Sequence, residues 1–299
     1  MKKPLRTLCL KSLLATSLCS TFSAVAADTL ASIKEKQSIT IAYREETFPF
    51  SYLAGNKQPV GYSIDICMLL VDSLKRELKL PKLAVNYLPV TAETRLKAIA
   101  EGKADLECGS STNSPERRNL VNFAIPHFFA NVRMLVRNDT AIKNWADVKG
   151  KTLVLTTGSS TAKVLAEKAK TKDLKYTVVN APNHQASFAL LESAKADAFV
   201  MDDVLLYALR AESKKANKFT ITGEVLSTQT YSIVLRKDDP NFKKFVDKEL
   251  ANDMINGTVT KIYDKWFKQP TPPKAINLEM PMNRILTDQL RFPTDQHLE

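Results

Sequence analysis

The chain is short of the residues that metal and nucleophilic chemistry usually needs. It has three histidines, His127, His184 and His297, far apart in the sequence. No two cysteines stand at a metal-clip spacing, so neither a bound metal nor any other cofactor is expected. After the first 27 residues no stretch is long and apolar enough for a transmembrane helix. The spaced glycines and terminal Lys-Ser/Thr of a phosphate-binding P-loop are also missing. Positive charge is in surplus, formally +11, but it is not gathered into a patch. Lys163, Lys168, Lys170 and Lys172 are scattered along one helical stretch, as on a solvated face, so nucleic acid is not expected as a partner.

What is present starts with an export signal. Lys2, Lys3, Arg6 and Lys11 give a basic start, Ser12 to Ser23 carries no charge, and Ala24-Val25-Ala26 offers a small-x-small cleavage pattern before Asp28. Residues 1–27 therefore read as a signal peptide, and the mature chain is expected in the periplasm. Its four basic residues leave +7 of the formal charge on the mature chain. About 272 residues exceed a typical single core, so two lobes are expected. Cys67 and Cys108 survive cleavage. A bridge between them and a pair of buried free thiols are both open; a bridge would stabilise by about 4 kcal/mol in the loop-entropy model.

Strand and helix signals alternate from Ser38, which predicts an α/β fold. Ile39 to Tyr43 reads as a strand, Ser63 to Leu78 as a helix burying Ile66, Leu69, Leu70 and Leu74, and Ala104 to Cys108 as a strand. Asn131 to Arg137 leads into a second set of alternating elements, and Tyr231 to Arg236 returns from it. The expectation is a discontinuous plan, with residues 28–134 and 230–299 in lobe one and 137–227 in lobe two. Val132 to Arg137 and Tyr231 to Arg236 would be the hinge strands. A Pro-rich tail from Pro270 should run extended before a short helix near Asn283 to Leu290.

Several loops after strands carry binding chemistry. In Ser110-Ser111-Thr112-Asn113-Ser114-Pro115-Glu116-Arg117, Ser114 fits a helix N-cap and Pro115 the first helical position, with Arg117 one turn in to grip a carboxylate. Thr156 to Thr161 repeats the design, with a glycine turn and hydroxyls at a helix start. Of Asp202 and Asp203, one is expected to cap a helix, leaving the other free for a cation such as an α-ammonium group. By residue type and position alone, Arg44, Arg95 and His184 read as ordinary surface groups.

At these residues the chain resembles the bacterial family 3 extracellular solute-binding proteins, most closely the glutamate/aspartate receptors of ABC importers. Gly61 to Ile66, Glu107 to Asn113 with Glu116-Arg117, Met201-Asp202-Asp203, Leu235 to Pro240 and Asp264 to Lys268 carry the resemblance. It runs from about Leu30 to Pro273, and it implies the two-lobed type II periplasmic-binding-protein fold. It further implies Arg117, Thr112 and Ser160 on the α-carboxylate, Asp202 with Ser110 on the α-ammonium, and Arg44, Arg95 and His184 on a side-chain carboxylate. A family serine of that last subsite falls on Ala92 here. Cys108 matches a family cysteine whose usual partner position is Ile233, which leaves Cys67 as the other candidate. The implied partners are glutamate or aspartate and an ABC permease, with the receptor a monomer. The alternatives are a receptor for another polar amino acid, a periplasmic dehydratase using Glu107 or His184, and a signalling sensor domain, the last disfavoured because no transmembrane segment or kinase follows.

Overall fold

The computed structural model describes residues 28–55 and 57–295, so the sequence read as a signal peptide lies outside the described residues. Asp28 caps α1 (Thr29–Lys36) by accepting from the Ala31 N–H, and β1 (Ser38–Tyr43) follows. A small meander comes next, made of β2 (Glu46–Thr47), β3 (Ser51–Leu53) and β4 (Pro59–Val60). Then come α2 (Tyr62–Glu77), β5 (Ala84–Pro89), α3 (Arg95–Ala100), β6 (Leu106–Glu107), β7 (Asn122–Phe123) and β8 (Phe128–Arg137). The second set runs β9 (Lys151–Thr156), α4 (Thr161–Lys172), β10 (Tyr176–Ala181), α5 (His184–Glu192), β11 (Ala198–Asp202), α6 (Asp203–Glu212) and β12 (Phe219–Thr222). The chain returns through β13 (Thr228–Tyr231) and β14 (Val234–Leu235) to α7 (Pro240–Ile255), α8 (Thr258–Phe267) and α9 (Arg284–Arg291).

Two main sheets organise these elements. The first has strand order β5-β1-β6-β14-β7, and the second β10-β9-β11-β8-β12 with β13 added on β8. In the first sheet β1 runs parallel to β5 and β6, while β14 enters antiparallel between β6 and β7. The site loops therefore leave from strand C-terminal ends, where ligands of open α/β sheets bind.

The crossing between the sheets lies slightly away from the expected place. Phe128 to Asn131 of β8 pair antiparallel with Tyr231 to Thr228 of β13. Val132 to Val136 already pair with β11, and Met134 to Arg137 with β12. Val132 to Arg137 is thus part of the second sheet, and the expected single strand Tyr231 to Arg236 is broken at Ser232-Ile233 into β13 and β14. The break lets one segment serve both sheets.

Packing follows the apolar patterns. In α2 the residues Ile66, Leu70 and Leu74 are buried, each contributing about 1.5–3 kcal/mol, whereas Leu69 is only half buried. Cys67 of the same helix is bonded to Cys108 just beyond β6, so of the two readings left open the bridge is the one found. Behind the crossing strands, Phe50, Tyr62, Phe128, Tyr263 and Phe267 form one aromatic cluster with centroids 4.5–5.9 Å apart in its closer pairs, worth about 0.5–1.5 kcal/mol per pair beyond burial. The tail is irregular apart from a bridge between Thr271 and Ile276, and Asn283 then caps α9 through the Leu286 N–H.

Candidate functional site

The eight residues singled out in the sequence come from seven separate segments, and the fold brings them to one cleft. Arg44 follows β1, Arg95 opens α3, Ser110 and Thr112 lie in the loop after β6, Ser160 precedes α4, His184 opens α5 and Asp202 ends β11. These seven line a single small cavity together with Ala92, Ser159 and Met201. Arg117 stands at its rim and lines the broader groove outside. The expected helix at Ser114-Pro115 is a three-residue 3-10 turn, Arg117–Asn119. Ser114 still accepts from the Arg117 N–H at 3.3 Å, but the turn ends at Asn119, short of the full helix that the cap signature suggests.

The cleft is shut. Arg117 donates to the Thr112 carbonyl at 3.1 Å and, across the cleft, to the Gly158 carbonyl at 3.1 Å. Thr112 and Ser160 share a hydrogen bond of 3.1 Å, and Lys163 pairs with Glu116 at 2.8 Å. On the other side, Gln185 donates to the Glu46 carbonyl at 2.8 Å. Gly158 has φ +76°, and a Cβ there would come within 2.7 Å of the Ala92 backbone. Only glycine lets the two walls approach this closely.

Arg44 and Arg95 are not surface groups. They are 5 % and 3 % exposed, because their backbones sit at the inner ends of β1 and α3, beneath the opposite wall. Burial lowers the Arg44 pKa to about 10, with Arg95 adding repulsion. Arg95 Nε donates to the Ser111 hydroxyl at 2.6 Å. Burial likewise lowers the Arg117 pKa to about 9, again with repulsion from Arg95. Three guanidinium groups thus converge, and guanidinium stays protonated under these shifts.

Asp202 is 1 % exposed. Burial raises its pKa to about 6, against the hydrogen bond from Tyr231, whose hydroxyl donates to Oδ2 at 2.5 Å. Its Oδ1 is buried with no partner among the described residues. Asp203 accepts instead from the Asn131 backbone and side chain at 3.0 and 3.1 Å, tying α6 to the crossing strand. The expected helix cap is not found: Asp202 makes no side-chain cap bond and is held by Tyr231, Asp203 is held by Asn131, and only Oδ1 of Asp202 is left for a cation.

The His184 ring can be assigned a tautomer by following protons. Ser187 spends its hydroxyl proton on the Asn183 carbonyl at 3.0 Å. It must therefore accept from Thr156, 2.8 Å away. The Thr156 oxygen is then left to accept from Nδ1–H of His184 at 3.0 Å. Burial, with repulsion from Arg44 and Arg95, holds the imidazole pKa well below its ordinary value, so the ring is neutral. Its Nε2 lone pair is buried with no partner among the described residues.

Ser111, Thr156 and Ser159 lie in the two loops that the sequence singles out, although it gives none of them a role of its own, and Tyr231 lies outside both loops. By sequence Tyr231 is only the start of a hinge strand. No local pattern marks a tyrosine that reaches an aspartate 29 positions away. Among the described residues no group of His, Cys, Asp and Glu is suited to hold a metal ion, and no helix is long and apolar enough to cross a membrane.

Residues 39–269 match the family of bacterial extracellular solute-binding proteins, family 3. The chain is 41% identical over 272 residues to an L-glutamate/L-aspartate-binding protein of Pseudomonas aeruginosa, covering 91% of this chain and 90% of the relative. It is 36% identical over 273 residues to a glutamate/aspartate import solute-binding protein of Escherichia coli K12, with 91% and 90% covered. A solved structure of an ancestral amino acid-binding protein, described as a precursor of cyclohexadienyl dehydratase, superposes with a TM-score of 0.70 at 26% identity over 81% of this chain and all of that one. The two-sheet fold with paired crossing strands is accordingly that of type II periplasmic binding proteins, and the chain belongs to the bacterial extracellular solute-binding proteins of family 3.

Proposed function

We propose that this chain is the periplasmic receptor of an ABC amino-acid importer and that it captures L-glutamate or L-aspartate between its lobes. The observation that carries the ligand class is the burial of Arg44 and Arg95 in the same cavity as Asp202. One cation and one anion suffice for a neutral amino acid. Two further buried guanidinium groups favour a ligand that brings a second carboxylate. The names of the two relatives support the same class.

In this reading Arg117, Thr112 and Ser160 hold the α-carboxylate, and the free Oδ1 of Asp202, with Ser110, receives the α-ammonium. Arg44, Arg95 and His184 take the side-chain carboxylate beside Ala92. Lobe one comprises residues 28–131 with 228–295, and lobe two residues 132–227, a shift of a few residues from the sequence-based boundaries. The receptor acts as a monomer, is exported by its first 27 residues, and presents cargo to a permease when closed. It works as a binder rather than an enzyme: of the acid-base candidates at the cleft, His184 and Asp202 face the ligand as binding groups and Glu107 lies behind the cavity wall.

One observation favours a second ligand, glutamine. The unprotonated Nε2 of His184 would accept from a side-chain amide without any proton being added. Calorimetric titration of refolded, ligand-free protein against glutamate, aspartate, glutamine and asparagine separates the two. Tighter binding of an acid by at least an order of magnitude is expected, and equal or tighter binding of an amide refutes the acidic assignment.

A further inference from the structure

Glu107 is the most deeply buried carboxylate near the cleft, at 0 % exposure, yet it does not line the cavity. Neither of its oxygens makes a well-aligned hydrogen bond among the described residues, although the Ser111 hydroxyl lies close enough to favour the carboxylate. A buried charge with no direct partner is costly, by several kcal/mol, so its surroundings must compensate at longer range. Those surroundings are the two arginines. A Cβ built on Gly109 would lie 2.4 Å from Glu107 Oε1 and 3.2 Å from Arg44 Cγ, so the carboxylate and the aliphatic stem of Arg44 flank the same glycine without a direct ion pair. On the other flank, Ser111 accepts from Arg95 Nε at 2.6 Å. Burial raises the Glu107 pKa, and Arg95, the remaining proton of Ser111, Arg44 and Arg117 oppose that rise by favouring the ionised carboxylate.

We infer that Glu107 is the resident counter-ion of the Arg44–Arg95 pair and sets how strongly the cleft prefers a ligand carrying an extra negative charge. With the carboxylate in place, two buried guanidinium groups remain together before cargo arrives, and only part of their charge is left for the ligand to neutralise. Without it, the pair depends on the ligand for all of its compensation. Glu107 touches no ligand in this scheme and is a positioning residue. The inference rests on the acidic-ligand reading of the same cleft.

The test compares dissociation constants for glutamate and glutamine, two ligands of nearly one shape, in wild type, Glu107→Gln and Glu107→Asp. In Glu107→Gln the ratio of the glutamine constant to the glutamate constant should rise at least tenfold, and the glutamate-induced rise in melting temperature should grow. Glu107→Asp keeps the charge and should hold the ratio within threefold of wild type. A merely structural role would weaken both ligands in proportion, so an unchanged or falling ratio in Glu107→Gln overturns the inference. If Glu107→Gln does not fold, the double variant Glu107→Gln/Arg44→Gln decides. Restored folding supports charge balance, and continued failure overturns it. Wild type that binds neither glutamate nor aspartate sinks the acidic-ligand reading and this inference together. Wild type that prefers glutamate, with an unmoved ratio in the variant, sinks this inference alone.

Discussion

Binding of a carboxylate beside His184 should take up a proton, because the free ring offers a lone pair where a donor is required. Nδ1–H is committed to Thr156, and burial with two arginines keeps Nε2 unprotonated. A carboxylate placed against that lone pair is repelled unless the imidazole gains a proton, and its charge favours that gain. Asp202 provides the internal contrast. With its pKa raised to about 6, it is mostly ionised at pH 7.5 and contributes little there. At pH 7.5, glutamate should therefore bind with uptake approaching about one proton, and glutamine with almost none. At pH 5.5 much of Asp202 is protonated, and pairing with the α-ammonium should expel that proton when glutamine binds. Isothermal titration in buffers of different ionisation enthalpy reads these numbers directly from the slope. A difference between the two ligands below about 0.2 proton at pH 7.5 would refute the placement of a carboxylate at His184. His184→Gln should abolish the difference while retaining the release from Asp202.

Further outcomes are specific. Arg117→Ala should weaken every amino acid by about 2–5 kcal/mol, whereas Arg95→Ala should weaken acids and spare neutral ligands; titrations in which both variants lose all ligands alike would contradict the division of subsites. Gly158→Ala places a methyl group against the Ala92 backbone, so it should hinder closure and cost at least about tenfold in affinity. Small-angle scattering should show wild type compacting on adding glutamate and Gly158→Ala doing so only at higher ligand concentration. Cys67→Ala/Cys108→Ala should lose about 4 kcal/mol of stability, read from urea unfolding. In the closed form the two titrating groups act oppositely on stability. The raised pKa of Asp202 gives a contribution present below pH ~4 and lost as pH rises through about 6. The depressed pKa of His184 gives one present above about 6.5 and lost as pH falls below it.

The sequence made the alternation of strands and helices legible, and with it the discontinuous order of the chain. α2 and α7 are bounded by local signals, Gly61 before one and Asp239-Pro240 at the start of the other. The short meander β2–β4 escaped notice because its strands are two or three residues long, too brief for period-two alternation to register. α1 was missed because eight mixed residues carry little periodicity. For the site, residue type was legible but burial was not. Arg44 and Arg95 are buried by the wall opposite, which lies about 60 to 140 positions on in the chain, as the partners Gly158 and His184 show. Tyr231 and Thr156 act only through side chains that the tertiary fold delivers to them. The boundary of the second sheet moved because β8 changes partners midway, at Asn131 to Val132, and a continuous apolar strand gives no sign of that change.

The position of β14 has a consequence for how the chain is made. β7 is joined to its sheet only through Val234 and Leu235, which emerge from the ribosome about 110 residues after Phe123. Until then the first lobe has a gap in its sheet, with β6 and β7 both lacking a neighbour on that side. The second set of strands, by contrast, is nearly complete by Thr222 and needs only a continuous stretch of chain. Non-local pairing of this kind is slow, because a long loop must close before the contacts form. The order of strands thus postpones completion of the first lobe until most of the chain has been synthesised.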